Sequence, residues 1–131
     1  MKITKKAYYA IVACSYMAKN PNNLVSASDI AFICNTTVGF MNLIFSDLRK
    51  ANIVTTKKGP GGGYKLNIAF TELSVHQILN AVNEKTTEID EDLRESLSPE
   101  TLALVNKVHL YLNKQTYKMF SSIKISDFLN G

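Results

Sequence analysis

"KKGPGGGYKL", residues 57–66, decides how this chain is read. Glycines stand at 59, 61, 62 and 63 around Pro60, with lysines at 57, 58 and 65. Such a loop suits phosphates, and its flanks decide whose. "NIVTTKK" (52–58) is rich in β-branched residues and "GYKLNI" (63–68) alternates like a strand, so "GPGGG" joins two strands of a hairpin. A nucleotide loop of the form G-x-x-x-x-G-K-[ST] opens a helix, whereas here Gly59 is followed five positions later by Tyr64, then Lys65 and Leu66. A dinucleotide fingerprint would need a glycine at position 64 and a helix directly after it, and both are missing. The remaining phosphates are those of a nucleic-acid backbone. Glycines let the main chain come close, while lysines meet phosphates or reach into a minor groove.

The residues before the hairpin agree. A helix is predicted from Thr37 to Ala51, with Phe40, Leu43, Ile44 and Leu48 as its buried stripe and Thr37, Gly39, Phe40 and Asn42 outward or beside it. Ser26 and Asp29 form an S-x-x-D start for a shorter helix with Ile30, Ala31 and Ile33 on its apolar face. Between them, Cys34-Asn35-Thr36 makes a tight turn, because asparagine tolerates the left-handed conformation. Helix, turn, second helix and basic hairpin form a winged helix-turn-helix, whose second helix fits a major groove. The expected fold is mostly α with a small β-hairpin wing.

"MKITKKAYYAIVAC" (1–14) has the look of a lipoprotein leader, but only seven residues separate Lys6 from Cys14 and two are tyrosines. Ile3, Ala7, Ala10, Ile11, Cys14, Met17 and Ala18 instead fall on one helical face, which "NPNN" (20–23) ends. Cys14 then reads as a small buried hydrophobe, and the protein as cytoplasmic. Ser74 and Gln77 open a further helix with Ile78, Leu79 and Val82. Ser98-Pro99 caps a long one, in which Val105, Val108, Leu112 and Met119 make one apolar stripe and Leu104 and Tyr111 another. Two stripes imply two packing partners, the chain's own domain and a second chain, although a monomeric core helix has the same periodicity. The chain thus divides into a DNA-binding head (1–83), an acidic linker (84–98), and a dimerisation helix with a tail (99–131).

Composition sets the outer bounds. The chain has 131 residues, 46% hydrophobic and 20% charged, the balance of an ordinary globular domain. No apolar run approaches the ~20 residues of a membrane span. Residues 1–70 carry nine Lys/Arg against two Asp/Glu, and residues 71–131 six against nine, so a basic head precedes an acidic rear. No nucleophile–base pair, carboxylate pair or metal cluster can be assembled, which argues against an enzyme. His76 and His109 stand without ligand neighbours in sequence and read as surface or satisfied residues.

"KKGPGGGYKL", preceded by "FSDLRKANIVTT" and followed by "LSVHQILNAVNE", closely resembles the Rrf2 family of bacterial transcription regulators, over nearly the whole chain from "MKITKKAYYA" to "IKISDFL". The resemblance implies a homodimer on a pseudo-palindromic double-stranded DNA operator, acting as a repressor, with the long helix providing most of the interface. It places base contacts at Thr37, Gly39 and Asn42 and a minor-groove basic residue at Lys58. With the residues already read, the expected DNA contacts are Thr4, Lys6, Thr37, Gly39, Phe40, Asn42, Lys57, Lys58, Gly61 and Gly62. The expected dimer contacts are Val105, Val108, Leu112 and Met119. Cluster-binding members carry three cysteines before the dimerisation helix. Here that segment, "NEKTTEIDEDLRESLS" (83–98), has none, so no iron–sulfur or other cofactor is expected. Cys34 is then the one nameable redox sensor, set against an inert buried thiol and against an effector pocket whose lining is not legible. An adaptor that keeps the fold without reading DNA is the alternative, and it has no reason to keep Lys2, Lys5, Lys6, Lys57, Lys58 and Lys65.

Overall fold

A computed structural model describes residues 3–82 and 89–129. Eight elements follow in order: α1 (Lys5–Lys19), α2 (Ala27–Ile33), α3 (Val38–Lys50), β1 (Val54–Lys57), β2 (Gly63–Leu66), α4 (Val75–Ala81), α5 (Glu91–Ser96) and α6 (Pro99–Ser122), before a 3-10 turn at Ile125–Phe128. The sheet is the expected antiparallel hairpin, with Val54 opposite Leu66 and Lys57 opposite Gly63. Tyr64 also exchanges two backbone hydrogen bonds with Val25, of 2.9 and 2.7 Å, which ties the hairpin to the start of α2.

Short polar side chains start the helices. Thr4, Ser26, Thr37, Ser74 and Ser98 each accept a backbone N–H three residues on, one of the amides that a helix start leaves unpaired. At Ser74 the cap is reciprocal, since the Gln77 side chain accepts from the Ser74 amide at 2.8 Å. α2 and α3 end alike. Asn35 (φ 52°) and Asn52 (φ 61°) take the left-handed conformation. The amides beyond them, Thr36 and Ile53, donate back to Ala31 and Leu48 at 2.9 and 3.0 Å. Each helix therefore closes in the paired-bond cap that asparagine tolerates best after glycine. The first of these caps turns the chain through 118° from α2 into α3.

The core gathers Phe45, Ile30, Met41, Ile44, Leu48, Ile53, Leu73, Ile78 and Leu79 from five segments of the head. Ala7, Ala10 and Ala13 form the buried face of α1 with Cys14, Met17 and Ala18, small side chains that let neighbours approach closely. Ile11 packs at the edge of that face, and so does Ile3, just before the helix. The tail returns to the same core: Ile125 is fully buried and donates its amide to Leu73, while Val75 donates to Ile123.

Three expected burials differ. Leu43 is 52% exposed and Ile33 49%, while Met41 and Phe45, absent from the expected stripe, are fully buried. Phe40 is half-buried. The buried arc of α3 is centred one residue away from the one the periodicity suggested, because Tyr64 of β2 packs on it from the Phe45 side. The acidic stretch contains α5, capped by Asp90, and its residues 83–88 lie outside the described ones.

Candidate nucleic-acid interface

α3 offers one open face. Gly39, Asn42, Leu43, Arg49 and Lys50 are exposed and Ser46 half-exposed, while Met41, Ile44, Phe45 and Leu48 hold the opposite face in the core. Nothing lies within 4 Å of where a side chain at Gly39 would begin, so the first turn of this face is flat and accessible. Asn42 stands beside it with its amide free to project. Thr37 is exposed but committed: its hydroxyl accepts the Phe40 amide at 3.1 Å. Phe40 turns toward the protein, edge-on to Tyr9 of α1 with ring centroids 6.1 Å apart.

The wing stands against the same helix. Tyr64 stacks on Phe45, and the hairpin register puts Thr55, Lys57 and Lys65 together on the outer side. Lys57 and Lys58 are exposed at the tip, and Lys65 overlooks a shallow hollow shared with Asn22 and Asn23. Two glycines of the tip have structural duties of their own. Gly61 has φ 73°, and a side chain at Gly62 would begin 2.1 Å from the Lys57 carbonyl oxygen. The loop closes through Gly62, whose amide donates to Gly59 at 2.9 Å.

Of the basic residues near the amino terminus, Lys5 is exposed and Lys2 lies outside the described residues. Lys6 sits elsewhere than a free DNA contact would. Its Nζ is 2.7 Å from Asp47 Oδ2 on α3, and both side chains are largely sheltered. The oxygen has no aligned hydrogen bond, so the contact is an ion pair held by distance rather than by direction. It fastens α1 to the recognition helix. Thr4 caps α1 beside it.

The thiols are shielded rather than activated. Cys14 lies in the core, and burial pushes its pKa up to about 12. Cys34 is the C-cap residue of α2, half-buried, and desolvation raises its pKa as well. A reactive thiol needs the opposite shift. His76 meets the Tyr117 ring edge-on at 4.4 Å, joining α4 to α6, and His109 pairs with Asn113 at 3.1 Å. α6 buries Phe120, while Val108, Leu112 and Met119 of the expected stripe are about half-exposed and Val105 is half-buried. Leu104, Leu110 and Tyr111 add to this uncovered apolar surface. Among the described residues, no single helix is long and apolar enough to cross a membrane.

The model of a family described as "Rrf2: Iron-dependent Transcriptional regulator" matches residues 3–131. The chain is 28% identical over 137 residues to the HTH-type transcriptional regulator IscR of Cereibacter sphaeroides, covering 100% of this chain and 88% of that protein. It is 35% identical over 85 residues to IscR of Aliivibrio salmonicida, covering 64% of this chain but only 51% of that longer relative. In fold it matches the structure of CymR, the global cysteine regulator of B. subtilis, with a TM-score of 0.73 at 20% identity, covering 99% and 97% of the two chains. The iron in the family's description does not fit this chain's donors. An iron–sulfur cluster takes about four ligands, mostly thiolates. The sequence has two cysteines, one of them sealed in the core, and no group of three or more His, Cys, Asp or Glu side chains among the described residues could hold a metal ion. With its winged helix-turn-helix, its glycine-tipped basic wing and a family match along nearly its whole length, this chain belongs to the Rrf2 family of DNA-binding transcriptional regulators.

Proposed function

We infer that the chain works in the cytoplasm as a homodimeric repressor on a pseudo-palindromic duplex operator, with no catalytic step of its own and no iron–sulfur switch. The observation that carries this reading is the open face of α3, basic at its end through Arg49 and Lys50, beside a wing whose outer side is lysine-rich. Gly39 and Asn42 present the first turns of α3 to base edges, and Thr37 contributes while it caps the helix. Lys57 and Lys58, with the backbone of Gly61 and Gly62, meet phosphates or the minor groove, and Thr4 contributes from the start of α1. Lys6 acts through Asp47, setting the angle of α3. The uncovered stripe of α6 supports the dimer: such a surface on a helix about 36 Å long is a partner's seat rather than a solvent face. A dimer spanning about two turns of duplex keeps other proteins off that stretch, which favours repression.

Sedimentation of the full chain, with duplex binding at several salt concentrations, tests the reading. The expected result is a dimer whose affinity for a selected operator falls steeply with salt, as released counterions require. Half-site centres should lie about 34–36 Å apart, or a multiple of it. A monomer without salt-sensitive duplex binding would favour the adaptor.

A further inference from the structure

We propose that Leu43 is a specificity-determining residue that reads the C5-methyl group of a thymine in each half-site. The inference rests on the reading of α3 as the recognition helix. A leucine on a helix inside a small domain normally faces the core, yet Leu43 is 52% exposed while Met41, Ile44 and Phe45 around it are buried. Its neighbours on the open face are Gly39, Ser46 and Lys50, one turn before, one turn after and two turns after, with Asn42 on the flank. A small, polar and basic surrounding does not suit another apolar protein surface, but it suits a polyanion.

The local geometry sharpens the assignment. A helical leucine covers the turn before its own Cα, and here that turn holds Gly39. Nothing, the Leu43 side chain included, lies within 4 Å of where a side chain at Gly39 would begin, so the surface beside Leu43 is open to a base edge. In the major groove thymine alone presents a methyl group, and an apolar contact is how a protein recognises it. Asn42, adjacent in sequence, is suited to adenine through its amide. The pair therefore predicts an A·T-rich half-site in which one thymine is chosen by shape and one adenine by hydrogen bonds.

The test uses an operator selected by the full-length chain from a randomised duplex pool. Each thymidine of one half-site is replaced in turn by deoxyuridine, which keeps every hydrogen bond and removes the methyl group. At one position the wild type should bind about fourfold more weakly, the effect of one buried methyl-sized group. Leu43→Ala, a change at an exposed position that leaves the core intact, should show no such loss there. Gly39→Ala, which narrows the open space beside Leu43, should also reduce the thymine preference. If no deoxyuridine weakens wild-type binding while selective binding persists, or if Leu43→Ala suffers the same loss, the proposal is overturned and the DNA-binding reading stands. If no sequence is selected at all, the DNA-binding reading fails and the proposal fails with it.

Discussion

Phe45 of the recognition helix and Tyr64 of the wing lie nearly parallel, their ring centroids 4.2 Å apart and their planes 16° from each other. The stack joins the two elements proposed to meet DNA, and Tyr64 is also held by its backbone pairing to Val25. Offset-stacked aromatic pairs contribute about 0.5–1.5 kcal/mol beyond their buried area. Tyr64→Ala should therefore lower stability by about 3 kcal/mol, the range for aromatic truncation. It should weaken operator binding further than the fall in folded fraction explains. Tyr64→Phe keeps the ring and should retain both. Denaturant unfolding and duplex titration on the same samples separate the two effects.

Gly62 and Gly61 should respond differently to alanine. At Gly62 the new carbon would begin 2.1 Å from the Lys57 carbonyl, so the tip must open. Gly61 has open space but φ 73°, which costs alanine about 1 kcal/mol. Gly62→Ala should cut both duplex affinity and melting temperature more than Gly61→Ala. Equal affinities would show that the tip does not need its closed shape.

Base reading and phosphate binding should separate by residue. Asn42→Ala should relax preference at one base pair per half-site, worth about 1–3 kcal/mol of discrimination. Lys57→Ala should weaken selected and random duplex alike and lower the salt slope by about one. Competition titrations against both duplexes measure the division, which identical losses for the two variants would refute.

The uncovered stripe of α6 predicts a clean monomer. Val108 and Leu112 are each 50% exposed, so Val108→Asp with Leu112→Asp removes nothing from the core. The double variant should sediment as a folded monomer, keep its helical circular dichroism and lose most operator affinity. A persistent dimer would place the interface elsewhere.

Cysteine chemistry should be quiet at neutral pH. Burial raises the Cys34 pKa, so its alkylation should be slow near pH 7 and climb only above the ordinary thiol range. Operator release by a mild oxidant in the wild type but not in Cys34→Ser would restore the thiol as the switch. Cys14 bears on stability instead. Its folded pKa of about 12 exceeds the ordinary 9.0, so the unfolded chain loses that proton first. The stability it contributes is complete below pH 9 and falls as pH rises toward 12. In Cys14→Ala the alkaline loss should be shallower, measured by unfolding at stepped pH.

Local chemistry carried most of the fold into the sequence itself. The caps at Ser26, Ser74 and Ser98, the turn at Asn35 and the glycine-tipped hairpin each depend on neighbours close in sequence, and such signals survive without tertiary context. The hairpin that makes the wing was legible for the same reason, since its glycine tip and flanking strands are local signals. Tertiary structure decided what periodicity could not. Leu43 and Phe45 are both apolar and two residues apart, so either could face the core; Tyr64 packs on Phe45, which is buried, while Leu43 is left open. Lys6 reads as one more basic residue until Asp47, 41 positions away, comes within 2.7 Å of it. A helical repeat says that a face is apolar, but only the arrangement of the other elements says what covers it.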